Sequence, residues 1–418
     1  MTEPHASAVP APQPAELLFD PFAPGFTDDP YPQYATMRER APVYQHPFGF
    51  WLLTRYEDVS WLLRATGLSV EDDNVAADSL LRQVREEMYG DGAPRSSALS
   101  MLDRDPPDHT RLRRLVSKAF TPRAIQALRP RITELVDGML DDMAAQRRVN
   151  LVDALAFPLP FSVIAEMLGT PPADHERIRQ LSGTVVRSLE PVADPGLIRE
   201  IVAADEELMG IAAEMIAWKR ANPADDLLTA LIHAEDDGDV LDDDELVAQT
   251  LLLYLAGHET TVNLIAGGTL ALLRHPAQLA LLRADPALAG NAVEELLRYD
   301  SPVQASRRIT LEPVTVGGIP IPAGAFVMAS LSSANRDERF WGEDAAELRL
   351  DRENARQHVS FGAGHHHCLG ASLARLEASI ALARLTARFP RLALDGPVTW
   401  NGRINLRGPA HLPVSLVA

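Results

Sequence analysis

Six stretches of this chain carry apolar residues at three- and four-residue spacing: 108–146, 150–168, 198–219, 243–274, 289–299 and 370–388. That period gathers apolar side chains on one face of a helix, so it constrains the chain to a mainly α architecture with a minor β part. Strand-like pieces are few and short: 50–54, then 314–316 with 319–321 and 325–330, which read as a Gly/Pro-punctuated hairpin. No Gly/Ser-rich linker, charge block or repeat divides the chain. A single domain over 19–418 is expected, after a disordered Ala/Pro-rich tail over 1–18 that has little to bury. Segment 70–104 mixes helical and breaker residues and reads as a mobile loop over a site.

The 418 residues are 46% hydrophobic and 23% charged, enough for a large core. A net charge of -19 argues against a nucleic-acid partner, which needs a basic face. A single cysteine excludes an internal disulfide framework and suits a reducing cytoplasm. The N-terminus lacks the basic and apolar regions of a signal peptide, and no apolar run approaches the roughly 18–20 residues that span a bilayer. A soluble cytoplasmic protein without a membrane anchor is expected.

That cysteine, Cys368, stands in FGAGHHHCLG, residues 361–370, which opens onto the helical stretch ASLARLEASIALARL. Gly362 and Gly364 allow backbone geometry that a Cβ hinders, and Gly370 permits close backbone approach before the helix. A cysteine at a helix start is biased toward thiolate, the form an iron ligand requires. Two plainer readings stand beside this one: a small buried apolar residue, or zinc held by His365–Cys368, whose consecutive positions do not match structural zinc spacing.

Elsewhere, Glu295 and Arg298 lie three apart on one helix face, which alone is an ordinary ion pair. Ala256–Thr261, AGHETT, places glycine, threonines and an acid inside an apolar helix, a broken local rule that marks either a functional site or a kink. In 105–120, DPPDHTRLRRLVSKAF, His109 and Arg113 share one helix face while Arg111, Arg114 and Lys118 share the opposite one.

Phe361, Gly364, His366, Cys368 and Gly370 together resemble the haem-binding loop of the cytochrome P450 family of soluble bacterial type, and the resemblance spans roughly 19–416. It implies the P450 fold, with haem b (iron protoporphyrin IX) between a distal oxygen-binding helix and the proximal cysteine loop, and Cys368 as the thiolate ligand of iron. Glu295 and Arg298 look like the family's ExxR motif, and Arg352 matches its third member, although LRLDR departs from the usual FDxxR. Ala256 and Gly257 would leave room for dioxygen, Thr260 would hydrogen-bond to it and Glu259 would help relay protons. His109, Arg113, Arg308 and His366 would bind the haem propionates.

The implied reaction inserts one oxygen atom from O2 into a small organic molecule, by hydroxylation or epoxidation in specialised metabolism. No nicotinamide or flavin domain is visible, so by family analogy a ferredoxin and its reductase would supply electrons. Arg111, Arg114 and Lys118 either greet that acidic donor or form a plain solvated face. By the same resemblance, pocket candidates are the 70–100 loop, residues near 180–190, Leu252, Ala256, Pro302, Val303, Gln304, Ala305 and 404–406, Asn405 among them. They are mostly apolar or small, which suits a greasy substrate. Oxidative coupling, peroxide-driven oxidation and a haem-based sensor are the competing functions; the Glu259–Thr260 pair favours oxygen activation.

Overall fold

The computed structural model describes residues 18–89, 94–170, 175–192 and 194–417. Apart from Leu18, the tail expected over 1–18 lies outside them.

The longest helix, Asp243–Arg274, runs through the molecule. It begins with a capping box: the Asp242 side chain accepts from the Glu245 N–H at 2.8 Å, and Glu245 accepts in return from the Asp242 N–H at 3.1 Å. From Thr261 to Leu272 every residue is buried. Its second half joins the largest core with helices Arg129–Ala144, Ala289–Tyr299 and Ala371–Arg388. Its first half packs in another cluster with Pro158–Leu168, His175–Val185 and Pro195–Ala221. Helices 243–274, 289–299 and 371–388 match the sequence periodicity to within a residue. The 108–146 stretch divides into Asp108–Ala119, Pro122–Ala127 and Arg129–Ala144; Pro122 and Pro130 each sit in the first turn of a helix, where a missing N–H is harmless.

Val152–Ala156 is a π-helical turn, closed by the Phe157 N–H donating to the Val152 carbonyl at 2.8 Å. The 70–104 segment is not a plain loop: it holds the helices Leu80–Tyr89 and Arg95–Leu99 and short 3-10 turns. Part of it is anchored on the long helix, where Gln249 accepts from the Met101 N–H at 3.1 Å and donates to the Leu99 carbonyl at 2.8 Å.

The main sheet has five strands in the order Val43–Gln45, Trp51–Leu53, Phe326–Ser330, Ala305–Thr310, Leu68–Ser69. Phe326–Ser330 therefore pairs with Ala305–Thr310 and Trp51–Leu53, and not with the hairpin Val314–Val316/Ile319–Ile321 that precedes it. This sheet carries Arg308, whose charge acts on His366 of the cysteine loop.

Candidate active site at Cys368

The cysteine loop is held in place by buried charge. Arg298 makes a two-point pair with Glu295, 2.6 and 2.7 Å, and donates to the carbonyls of Asn335, Ala345 and Glu347. Arg352 reaches the same carboxylate at 3.2 Å, and Arg349 donates its N–H to it at 2.9 Å. Glu295 and Arg298 are wholly buried; such ions persist only with every partner in place. The ordinary surface reading of this pair does not hold, and the three residues 295, 298 and 352 form one network.

A second network was not legible in the sequence. Glu294 accepts from Arg375 at 2.8 and 3.1 Å and pairs with His358 at 3.0 Å. Burial raises the Glu294 carboxyl, but the hydrogen bonds from His358 and Arg375 outweigh it and hold it at about 2. Arg375 lies over the Phe361 ring at 4.5 Å. Ser360 donates to the Leu297 carbonyl at 2.7 Å and accepts from Asn335 at 2.8 Å. Glu294 thus ties His358, before the loop, to Arg375, after it, while Glu295 holds residues 349 and 352 further upstream; their only sequence signal was a pair of adjacent carboxylates on a helix that buries both.

Within the loop, Gly364 has φ +69°, and a Cβ there would stand against the Leu63 carbonyl oxygen. Gly370 differs from expectation: its φ is −78°, and a Cβ would meet no protein atom within 4 Å. The Cys368 N–H donates to the Phe361 carbonyl at 2.9 Å. Protein crowding pushes the Cys368 thiol up, opposed by the N–H groups of Gly370 and Ala371 and by Arg113 and Arg375. Its surface is nevertheless accessible. The two facts agree if the sulfur sits deep and faces an open side.

On one side of that opening, His109, Arg113, Arg308 and His366 converge. The rings of His109 and His366 are 4.2 Å apart. His109 is buried with both ring nitrogens unpartnered. Burial, then the neighbouring cations, lowers His109 to about 4 and His366 to about 3. Arg308 is buried and lowered to about 10 by desolvation and by Arg307. Among the described residues no carboxylate pairs with Arg308 or Arg113, whereas Arg307 is engaged by Asp103 at 2.7 Å and Asp72 at 3.3 Å. This donor set calls for an anionic group, and separates Arg308 from its neighbour.

The long helix presents Leu252, Ala256 and Thr260, four apart on one face. Ala256 is exposed and the other two half-exposed, while Leu251, Leu253, Tyr254 and His258 are buried. A Cβ at Gly257 would meet the Ile164 side chain at 3.5 Å, ordinary van der Waals contact. The Thr260 hydroxyl donates to the Ala256 carbonyl at 2.9 Å, and Glu259 pairs with Arg403 at 2.5 Å. Val303 and Ala305 are half-exposed, but Gln304 between them is wholly buried and donates to the Ser301 carbonyl. Extended backbone alternates faces, so Gln304 leaves the pocket lining. The Asn405 side chain accepts from the Ala305 N–H at 3.0 Å and braces the backbone.

Arg111 pairs with Glu245, Arg114 with Asp236 and Asp239, and Lys118 with Asp236 at 2.6 Å. This chain's own hairpin Glu235–Asp236/Asp239–Val240 supplies most of those acids, so the structure favours the plain-face reading of these cations. Among the described residues no three His, Cys, Asp or Glu side chains are grouped to hold a metal ion, so the zinc reading lacks a ligand set.

A braced cysteine loop with a cationic cluster beside it suits a haem-thiolate protein: the unpartnered donors suit propionates, and the thiol suits iron. The cytochrome P450 family model matches residues 193–396. The chain is 43% identical to cytochrome P450 107B1 of Saccharopolyspora erythraea, over 95% of this chain and 97% of that protein. It is 42% identical to vitamin D(3) 25-hydroxylase of Pseudonocardia autotrophica, over 95% and 96%. The solved structure of the Bacillus subtilis bacillaene synthase P450 PksS superposes with a TM-score of 0.85 at 36% identity, covering 96% of this chain and 100% of that one. The chain belongs to the cytochrome P450 family and is a P450 monooxygenase whose cofactor is haem with an axial cysteine thiolate. Its single cysteine is Cys368. No helix among the described residues is long and apolar enough to cross a membrane.

Proposed function

We propose that this monooxygenase inserts one oxygen atom into a mostly apolar small organic substrate, by hydroxylation or epoxidation, as a step of specialised metabolism in the cytoplasm. The observation that carries this reading is the accessible face Leu252–Ala256–Thr260 of the long helix, apolar except for one hydroxyl. A relative of similar length is named as a hydroxylase.

Bound haem supplies the activation of dioxygen, and the chain's residues govern its position, potential and protons. Cys368 would hold the iron, with the N–H groups of Gly370 and Ala371 and the side chains of Arg113 and Arg375 moderating the charge on sulfur. His109, Arg113, Arg308 and His366 would hold the propionates, and Phe361, Gly364 and Gly370 would shape the loop beneath. Ala256 and Gly257 keep the distal side small. The Thr260 hydroxyl spends its proton on the Ala256 carbonyl, which leaves its oxygen lone pairs to accept a hydrogen bond from the oxygen side. Glu259, one residue earlier and partly exposed, would pass protons from solvent as a general acid.

Electrons would come from a ferredoxin-type donor and its reductase. Arg64 and Arg113 act by charge on His367, beside Cys368, together with Arg375, which Glu294 engages. Complementary charge there would orient an acidic donor toward Cys368. Titrating a metabolite library against the haem spectrum tests the substrate reading: apolar, polycyclic or macrocyclic molecules should displace the resting spectrum. Shifts confined to charged, strongly polar compounds would overturn it.

A further inference from the structure

The turn that follows Trp400 joins three parts of the molecule. Its inner side is fixed. The Gln304 N–H donates to the Asn405 carbonyl at 2.8 Å, and the Arg407 N–H to the Pro302 carbonyl at 2.9 Å. Asn401 donates to the Leu406 carbonyl at 2.8 Å. A Cβ at Gly408 would collide with Asn263 of the long helix, so the turn lies directly on that helix.

Its outer side is held by one side chain. Glu190 accepts from the N–H groups of Ile404 at 2.7 Å, Asn405 at 2.9 and 3.1 Å, and Leu406 at 2.9 Å. Three consecutive N–H groups aimed at one carboxylate form an anion-binding concavity. Glu190 follows the 3-10 turn Val186–Leu189, between the helices His175–Val185 and Pro195–Ala221. Next to this concavity, Arg403 pairs with Glu259 at 2.5 Å and donates to the Gly183 carbonyl at 3.4 Å. One guanidinium thus touches both the long helix and the helix that Glu190 follows.

We propose that Arg403 is a positioning residue for Glu259, and that Glu190, by capturing the backbone of 404–406, is the clasp that keeps Arg403 there. The proposal rests on the reading of Glu259 as the proton-passing acid. The guanidinium fixes which way the Glu259 carboxylate points. Because residues 403 and 404 are adjacent, the outer helices dictate that geometry whenever Glu190 is engaged. Approach of those helices over the distal side and placement of the acid are then one event.

The test uses the haem-loaded protein with a surrogate ferredoxin, its reductase and NADPH, and reads hydrogen peroxide released per NADPH consumed. Amide hydrogen exchange at 404–406 and spectral binding of 4-phenylimidazole are read on the same proteins. Glu190→Ala should speed exchange at 404–406 on the order of tenfold or more, since charge-assisted bonds are lost, and should raise the peroxide fraction toward that of Glu259→Gln. Glu190→Gln, which keeps an acceptor oxygen, should fall between. Arg403→Ala should raise peroxide with exchange at 404–406 and 4-phenylimidazole affinity unchanged, Arg403→Lys should restore coupling in part, and the double alanine variant should add little. Peroxide yields at the wild-type level in both Arg403→Ala and Glu190→Ala, with Glu259→Gln still raised, would overturn the clasp and leave the role of Glu259 standing. A wild-type yield in Glu259→Gln would remove that role and the proposal with it.

Discussion

Arg113 donates through Nη2 to the carbonyl of His367 at 2.6 Å, so the helix that carries His109 is tied to the residue just before Cys368. The same guanidinium acts on the sulfur by charge. One side chain therefore links the propionate cluster to the thiolate.

That link predicts a graded loss of haem. His109→Ala, Arg113→Leu and Arg308→Leu should each weaken haem retention by about 1.5–3 kcal/mol, the worth of a hydrogen bond to a charged group. Haem transfer to apomyoglobin measures it. Arg307→Leu, whose cation is engaged by Asp103 and Asp72, should release haem at the wild-type rate.

The Glu295 network predicts a larger effect on the whole fold. Removing one partner of a buried pair costs about 3–5 kcal/mol, a large share of the roughly 5–15 kcal/mol that holds a domain folded. Arg298→Ala and Glu295→Ala should accumulate little haem-loaded protein. Arg349→Ala, which leaves the backbone N–H on Glu295 intact, should lose little in thermal melting.

Glu377 predicts a pH dependence. It is buried on the Ala371–Arg388 helix with Oε2 unpartnered, and desolvation raises its carboxyl to about 8. The folded state therefore holds a proton that the unfolded chain gives up near the usual carboxylate range. This contribution to stability is full below about 4.5 and declines as pH rises through 8. Glu377→Gln should melt above the wild type at pH 9, and the gap should close toward pH 5. A gap independent of pH would contradict the assignment.

Thr260→Ala should keep the haem spectrum and divert electrons from product to hydrogen peroxide, because the accepting oxygen on the Ala256–Thr260 face is gone. Product formed per NADPH with a substrate identified by its spectral shift is the readout. Unchanged coupling would count against the role.

Long helices were legible because their period is written locally, as in 243–274. The strand Ala305–Thr310, the longest in the main sheet, was missed because ASRRIT is too polar to read as a strand. Gln304, just before that strand, is turned into the core toward the Ser301 carbonyl, a contact its sequence neighbours do not signal. Cys368, Glu295 and Arg298 carried their own motifs. Glu294, His358 and Arg375 did not, nor did Arg403 and Glu190. Their partners lie far away in sequence, Glu259 and Arg403 being 144 residues apart, and only folding brings them together. Charge alone left two readings open at Arg111, Arg114 and Lys118, because the neutralising acids, on the hairpin and at Glu245 of the long helix, lie more than a hundred residues away.

The most direct measurement is the carbon-monoxide difference spectrum of the reduced protein. With Cys368 as a thiolate ligand, the wild type gives the red-shifted band of thiolate-ligated haem, and Cys368→Ser and Cys368→Ala lose it. A haem-loaded wild type without that band, or a variant that retains it, would contradict the assignment.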